Sequence, residues 1–245
     1  MNPAPTTHEL VELFGGRLRL YQPHKGYRFS IDAVLLGSFA ASRAGSVVAD
    51  LGTGNGILPV LLARRQGIDK ITGIEIQQEL AEIAGLNTSL NKCSAATQIL
   101  HADMRGIKTM LQPESFDSVI TNPPFYRVGS GRINPDSQKA AARHELHGTL
   151  RDFISSAFFL LKQNGSFIAV YPAARTVDLI AEMRLKNLEP KTLRFVHSRC
   201  GEPAELILVE GVKTAGTEAK ILPPLFLYDD NDEYTPEMNT IFNEI

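Results

Sequence analysis

The chain is poor in cysteine: Cys93 and Cys200 stand alone among 245 residues, with no CxxC pair and no histidine cluster at ligand spacing. That scarcity excludes a disulfide framework and argues against a zinc site, so both thiols are expected to be ordinary buried or partly buried side chains. Long hydrophobic runs are missing as well. No stretch of about 18 apolar residues is present to cross a bilayer, and residues 1–20 lack the charged-then-apolar order of an export leader. A cytoplasmic protein with no membrane and no metal partner is expected. Flexible linkers, internal repeats and low-complexity segments are also absent, so 43% hydrophobic content over 245 residues reads as one domain with a substantial core. Charge of either sign is scarce in the net, at −2. Residues 221–245, however, hold six acids and no Lys or Arg, which leaves 25 basic against 21 acidic residues in the rest. A mildly basic body has room for a local nucleic-acid patch.

What the chain does have is alternation. β-rich apolar runs at Val47–Asp50, Ile71–Glu75, Thr97–His101, Ser118–Thr121 and Ser166–Tyr171 alternate with stretches of helical spacing at Ile57–Arg65, Gln77–Asn91 and Leu150–Lys162. Thr149 is placed to cap the last helix and Asn164-Gly165 to close it. This order predicts a parallel sheet covered on both faces. A further helix over Arg175–Lys186 leads to two β-rich runs, Lys191–His197 and Glu205–Val212, joined by a short segment with Gly201 and Pro203. An antiparallel pair is expected to finish the sheet.

At the end of the first predicted strand stands Asp50-Leu51-Gly52-Thr53-Gly54-Asn55-Gly56. Gly52, Gly54 and Gly56 remove side chains where the chain must turn sharply into a helix, which lets backbone approach an extended small molecule. The spacing is G-x-G-x-G, and Ile57 occupies the place of the last glycine of G-x-G-x-x-G. A nicotinamide or flavin dinucleotide is therefore disfavoured. Glu75 ends the second predicted strand, 19 residues after Gly56, where a carboxylate can accept both hydroxyl protons of a ribose. Asp103 follows the third strand and can accept a hydrogen bond from an adenine amino group, although Asp is also common in plain turns. Three strand ends thus offer parts for an adenosine-containing ligand.

Asn122-Pro123-Pro124-Phe125 lies 66 residues beyond the ladder, at the end of the fourth predicted strand. An exocyclic amine conjugated to a ring has a delocalised lone pair and is a poor nucleophile. The side-chain oxygen of Asn122 and the backbone oxygen of Pro123 can accept its two N–H groups and aim the nitrogen, while the rigid prolines fix those oxygens and Phe125 stacks on the target ring. Placement and electrostatics would supply most of the catalysis.

These elements, in this order, resemble class I S-adenosylmethionine-dependent methyltransferases, and Asn122 to Phe125 resembles their [D/N]PP[Y/F] amino-methylation motif. Phe125 stands where Tyr is frequent, so stacking is kept and a hydroxyl is lost. A finer resemblance lies in Gly26-Tyr27-Arg28-Phe29-Ser30-Ile31-Asp32-Ala33-Val34-Leu35-Leu36, which is similar to the segment before the core in the bacterial valine-tRNA adenine-N6 methyltransferase family. The resemblance implies an α/β Rossmann-like fold: a seven-stranded, mostly parallel sheet with an antiparallel C-terminal pair and helices on both faces. It implies S-adenosylmethionine as cofactor, with S-adenosylhomocysteine as product. By it, Asp50 and the glycines hold the methionine portion, Glu75 the ribose and Asp103 the adenine, with Asn122 beside the methyl group and Phe29, Ser30 and Asp32 over the methionine end. Read locally, Ser30 instead caps a helix, Asp32 favours its positive end and Phe29 is core.

Residues 126–147 show little apolar periodicity and are expected to form a long loop over the active-site edge. Arg127, Arg132, Lys139 and Arg143 in it can bind phosphates around a flipped base. His144-Glu145-Leu146-His147 lacks HExxH spacing, so no metal is assigned. The domain is expected to comprise an N-terminal extension (1–46) covering the cofactor site, a catalytic core (47–213) and an acidic tail (214–245) packed on the fold, as a monomer. The expected substrate is tRNA, at an adenine N6 in the anticodon loop. A ribosomal RNA, a glutamine N5 of a release factor, and a non-catalytic cofactor-binding module are the alternatives. The glutamine enzymes generally carry a sizeable helical domain before the ladder, whereas 46 residues precede Val47 here.

Overall fold

A computed structural model describes residues 8–24, 30–123 and 148–244. The sites expected at Phe29, Phe125, Arg127, Arg132, Lys139 and Arg143, and the loop expected over 126–147, lie outside the described residues.

The apolar runs become strands β3 (Val47–Leu51), β4 (Lys70–Glu75), β5 (Thr97–His101), β6 (Phe116–Thr121), β7 (Leu161–Pro172), β8 (Leu188–His197) and β9 (Ala204–Lys213). Between and around them run α1 (Ile31–Ala41), α2 (Ile57–Leu62), α3 (Gln78–Leu90), α4 (Leu150–Leu160) and α5 (Thr176–Leu185). Across the sheet the order is β8-β9-β7-β6-β3-β4-β5. β3 through β7 are parallel, and β9 runs antiparallel to both β7 and β8. This is the expected Rossmann-like α/β architecture. Two additions extend it at the β8 edge, the two-residue strands β10 (Lys220–Ile221) and β11 (Leu225–Phe226), each pairing with β8 in parallel.

Alternation along each strand divides the core between two faces. Val48, Ile71, Ile120, Ile168 and Val170 turn to the side of α1 and α2. Ala49, Leu51, Val119, Phe167 and Ala169 turn to α4 and α5 through Phe153, Ile154, Leu179 and Met183. Because a parallel sheet is buried on both faces, its strands carry apolar residues at consecutive positions, which is why these runs were readable in the sequence.

Several boundaries differ from the sequence expectation, β8 beginning at Leu188 rather than Lys191. α2 stops at Leu62 rather than Arg65. α4 stops at Leu160, and β7 begins at once at Leu161. The register between β6 and β7 slips where Phe116 faces Leu161 and Ser118 faces Ser166. Asn164 there has φ +61°, and a Cβ on Gly165 would stand 2.9 Å from the Lys162 carbonyl and 3.0 Å from that of Asp117. Asn and Gly serve this kink at the start of the strand rather than a helix end. Thr149 caps α4 as expected and shares a reciprocal capping box with Asp152.

Neither end of the chain was resolved into elements by sequence. Ahead of α1, β1 (His8–Leu13) and β2 (Leu18–Pro23) form an antiparallel hairpin around a turn in which Phe14, Gly15 and Gly16 all have positive φ. Leu18 and Leu20 on one face of β2 are fully buried. At the other end, Thr235 caps α6 (Pro236–Asn243) by accepting the Met238 N–H, and Met238 and Ile241 enter the α1–α2 side of the core.

Candidate methyl-transfer site

The site residues collect where β3, β4, β5 and β6 end, and a chain of hydrogen bonds laces those ends together. Thr121 Oγ1 donates to the Leu51 carbonyl at 2.8 Å. The Gly52 and Thr53 N–H groups donate to the Ile74 carbonyl at 2.9 and 3.1 Å, and the Ala102 N–H donates to that of Glu75 at 2.8 Å. Leu51 pairs with Thr121 in the β3–β6 register, so Gly52 and Asn122 leave neighbouring strands at the same level.

The glycine loop needs glycine for conformation first. Gly52, Gly54 and Gly56 all have positive φ, at 72°, 57° and 80°, where L side chains are strained. Gly56, the residue before α2, has a second reason. A Cβ on it would lie 2.9 Å from Ala84 Cβ of α3, so its absence lets α3 pack directly on the loop.

Asp50 and Glu75 are both buried below this loop. Glu75 Oε2 accepts the Gly54 N–H and Oε1 the Gln77 N–H, each at 2.9 Å, which fixes the carboxylate against the loop. Asp50 Oδ2 accepts from Thr53 Oγ1 at 2.6 Å, while Oδ1 is buried without a hydrogen bond. Burial pushes the Asp50 carboxyl up to about 7; the Thr53 hydroxyl opposes that shift and the negative charge of Glu75 adds to it. A carboxyl so placed is suited to a cationic ligand, whose charge would favour ionisation.

The Asp50 shift has a sign that can be tested. In the unfolded chain this carboxyl ionises near 3.8, and in the fold near 7. Stability from keeping the neutral form is complete below the lower value, is lost as pH rises between the two, and changes no further above about 7. At roughly 1.4 kcal/mol per unit, the loss is on the order of 4 kcal/mol. Asp50→Asn should therefore melt several degrees above the parent at about pH 8 in the absence of ligand, with the gap closing towards about pH 4. Equal melting temperatures at the higher pH would count against an ionised, uncompensated Asp50.

Asp103 stands at the end of β5, and its carboxylate is gripped by Arg105: Nε donates to both oxygens at 3.0 and 2.9 Å and Nη2 to Oδ2 at 2.6 Å. That guanidinium holds the Asp103 carboxyl below the usual carboxylate range. Oδ1 also accepts the Arg105 N–H, which starts the 3-10 turn Met104–Thr109. An adenine amino group would share these oxygens with Arg105. Ser30 sits at the N-cap position of α1, yet its hydroxyl makes no capping bond; the local expectation of a capping serine is corrected in that respect. Asp32 lies in the first turn of α1 and is nearly buried. Asn122 and Pro123 follow β6 directly.

Sequence reasoning missed four residues that build this site. Thr53 orients Asp50, and Gly73 of β4 makes room for it, since a Cβ there would meet Thr53 Oγ1 at 2.9 Å. Asn55 has its whole carboxamide buried without a partner. Asn87 of α3 donates to the Asn55 carbonyl at 2.8 Å. The one available signal was Asn87 itself, a weak helix former amid the apolar positions of α3. Among the described residues, no group of three or more His, Cys, Asp or Glu could hold a metal ion, and no helix is long and apolar enough to cross a membrane.

The chain as a whole is similar to known proteins. A tRNA1(Val) (adenine(37)-N6)-methyltransferase of Porphyromonas gingivalis (strain ATCC BAA-308 / W83) is 33% identical over 181 residues, covering 71% of this chain and 68% of the relative. A protein of that same name from Bacteroides fragilis (strain YCH46) is 25% identical over 205 residues, covering 83% and 85%. Among solved structures, a protein of Agrobacterium tumefaciens described as a predicted O-methyltransferase superposes with TM-score 0.70 at 24% identity, covering 87% of this chain and 96% of the other. A 16S rRNA N2 methyltransferase of T. thermophilus, in complex with AdoMet and guanosine, does so with TM-score 0.57 at 20% identity, covering 86% and 52%. These two likenesses establish the fold. The model of the methyltransferase small domain matches residues 31–190, and the chain belongs to that family.

Proposed function

We propose that this protein transfers a methyl group from S-adenosylmethionine to an exocyclic amino group, releasing S-adenosylhomocysteine, and that the acceptor is adenine N6 of a tRNA, in the anticodon loop of valine tRNA. The observation that carries this reading is the register of β3 and β6, which brings the glycine loop and Asn122 out of the sheet side by side. The names borne by the curated relatives support the acceptor.

The residues present fit the donor. Asp50, with one buried oxygen free of hydrogen bonds, suits the cationic methionine end. Gly52, Gly54 and Gly56 would let the backbone come close, and Glu75 would accept from the ribose hydroxyls. Asp103 together with Arg105 would border the adenine, and Ser30 and Asp32, with Phe29, would cover the methionine end. Bound there, the donor supplies an electrophilic methyl carbon on a sulfonium. Asn122 Oδ1 and the Pro123 carbonyl accept the two N–H groups of the incoming amine, which draws its lone pair out of ring conjugation and orients it. Phe125 would stack on the base, while Arg127, Arg132, Lys139 and Arg143 would hold phosphates. The methylated amine is acidic and loses its proton afterwards, so no strong base is required.

Labelled S-adenosylmethionine incubated with total RNA from a strain lacking the protein, followed by nucleoside mass spectrometry, tests the acceptor. One new N6-methyladenosine peak is expected. Label in a release-factor glutamine, with none in RNA, would overturn the RNA assignment.

A further inference from the structure

The hairpin is fastened to the core by two side-chain amides. Asn87 Oδ1 accepts the Tyr21 N–H at 2.7 Å and Asn87 Nδ2 donates to the Tyr21 carbonyl at 2.9 Å. One helical turn on, Asn91 Oδ1 accepts the Arg19 N–H at 3.2 Å and its Nδ2 donates to the Arg19 carbonyl at 2.6 Å. The repeat matches: four helical residues rise about 6 Å, and two strand residues about 6.6 Å. α3 thus offers β2 an imitation of a strand edge made from two carboxamides, against the backbone groups of Arg19 and Tyr21.

The two amides differ in their further partners. Asn87 Nδ2 also donates to the Asn55 carbonyl at 2.8 Å, from a side chain that is fully buried. Asn55 lies between Gly54 and Gly56, so a single carboxamide touches both the hairpin and the glycine loop. Asn91 Nδ2 instead donates to the Asn87 carbonyl of α3 at 2.8 Å, and Arg64 donates to Asn91 Oδ1 at 3.1 Å. Without Asn87, the Asn55 carbonyl would lose a buried partner and both backbone groups of Tyr21 a partly buried one.

We propose that Asn87 is a positioning residue that couples the glycine loop to the docked hairpin, so that the loop keeps its donor-binding shape through the hairpin's attachment. This rests on the assignment of the glycine loop as the donor site. Residues 8–23 thereby support the loop from behind.

The test is S-adenosylhomocysteine affinity by calorimetry in the full chain, with kcat measured at saturating donor. Asn87→Ala should raise Kd about tenfold, the scale of one lost interior hydrogen bond, and leave kcat within about twofold. Asn91→Ala should leave Kd within about twofold while lowering the melting temperature comparably. Should Asn87→Ala fail to fold, Asn87→Asp keeps the acceptor for the Tyr21 N–H but loses the donor to the Asn55 and Tyr21 carbonyls, and it should show the same rise. In the wild-type protein, saturating S-adenosylhomocysteine should slow amide exchange at Tyr21 as well as at residues 53–56. Equal Kd for the parent and the Asn87 variants, equal effects of Asn87 and Asn91, or protection confined to the loop would each overturn the coupling. Absence of binding to the wild type would instead overturn the donor site itself.

Discussion

Asn122→Ala should lower kcat for methyl transfer by about 10²–10³-fold, the usual scale for removing one preorganised polar group at the reacting centre, while S-adenosylhomocysteine binds nearly as before. The separation follows from the register: Asn122 lies beside Gly52 across two paired strands, whereas the donor contacts assigned to Asp50 and Glu75 sit on β3 and β4. Alanine keeps the backbone path after β6 but withdraws an acceptor from the amine, whose lone pair then stays delocalised. Asn122→Asp, which retains an acceptor oxygen, should preserve part of the rate. Single-turnover transfer to RNA, paired with calorimetry of product binding, separates the two effects, and undiminished turnover in the alanine variant would remove the orienting role.

Gly54→Val should abolish donor binding. Gly54 has φ +57°, a conformation that costs an L residue roughly 1–2 kcal/mol and a β-branched one more. Its N–H also holds Glu75 Oε2 at 2.9 Å, so a relaxed backbone would carry the carboxylate proposed to bind the ribose out of position as well as set a branched side chain against the ligand. Both consequences fall on affinity, and Gly54→Ala should show a milder version. Circular dichroism shows whether the variant remains folded; a folded valine variant with the parental Kd would contradict the close approach of ligand to this loop.

The α/β architecture was legible because its strands are continuous apolar runs, and both faces of the sheet demand them. Val48 and Ala49 point in opposite directions yet both are buried, so the pattern reads without knowledge of partners. Asp50, Glu75, Asp103 and Asn122 were legible for a related reason: each stands where a run stops. The hairpin was less so. Leu18, Leu20 and Gln22 do alternate inward, but the surface that receives β2 includes Asn87 and Asn91, some 70 residues away, and no local pattern announces a partner at that separation. Thr53 and Asn55 escaped notice for another reason, because a threonine under an aspartate and an amide between glycines acquire meaning only when β4 and α3 close around them. The grip of Arg105 on Asp103 is likewise a matter of rotamers.

The turn of the hairpin also reaches the far end of the chain. Arg17 donates to the carbonyls of Asn243 and Phe242 at 2.8 and 2.9 Å, and Phe14 lies 5.5 Å from the Phe242 ring, centroid to centroid. A ribosome delivers the hairpin early and α6 more than two hundred residues later, so during synthesis the first-made strands wait without this clasp until residues 242–243 emerge. Fastening of the hairpin is thereby tied to translation beyond residue 243, and a product truncated before α6 would leave the hairpin turn unclasped.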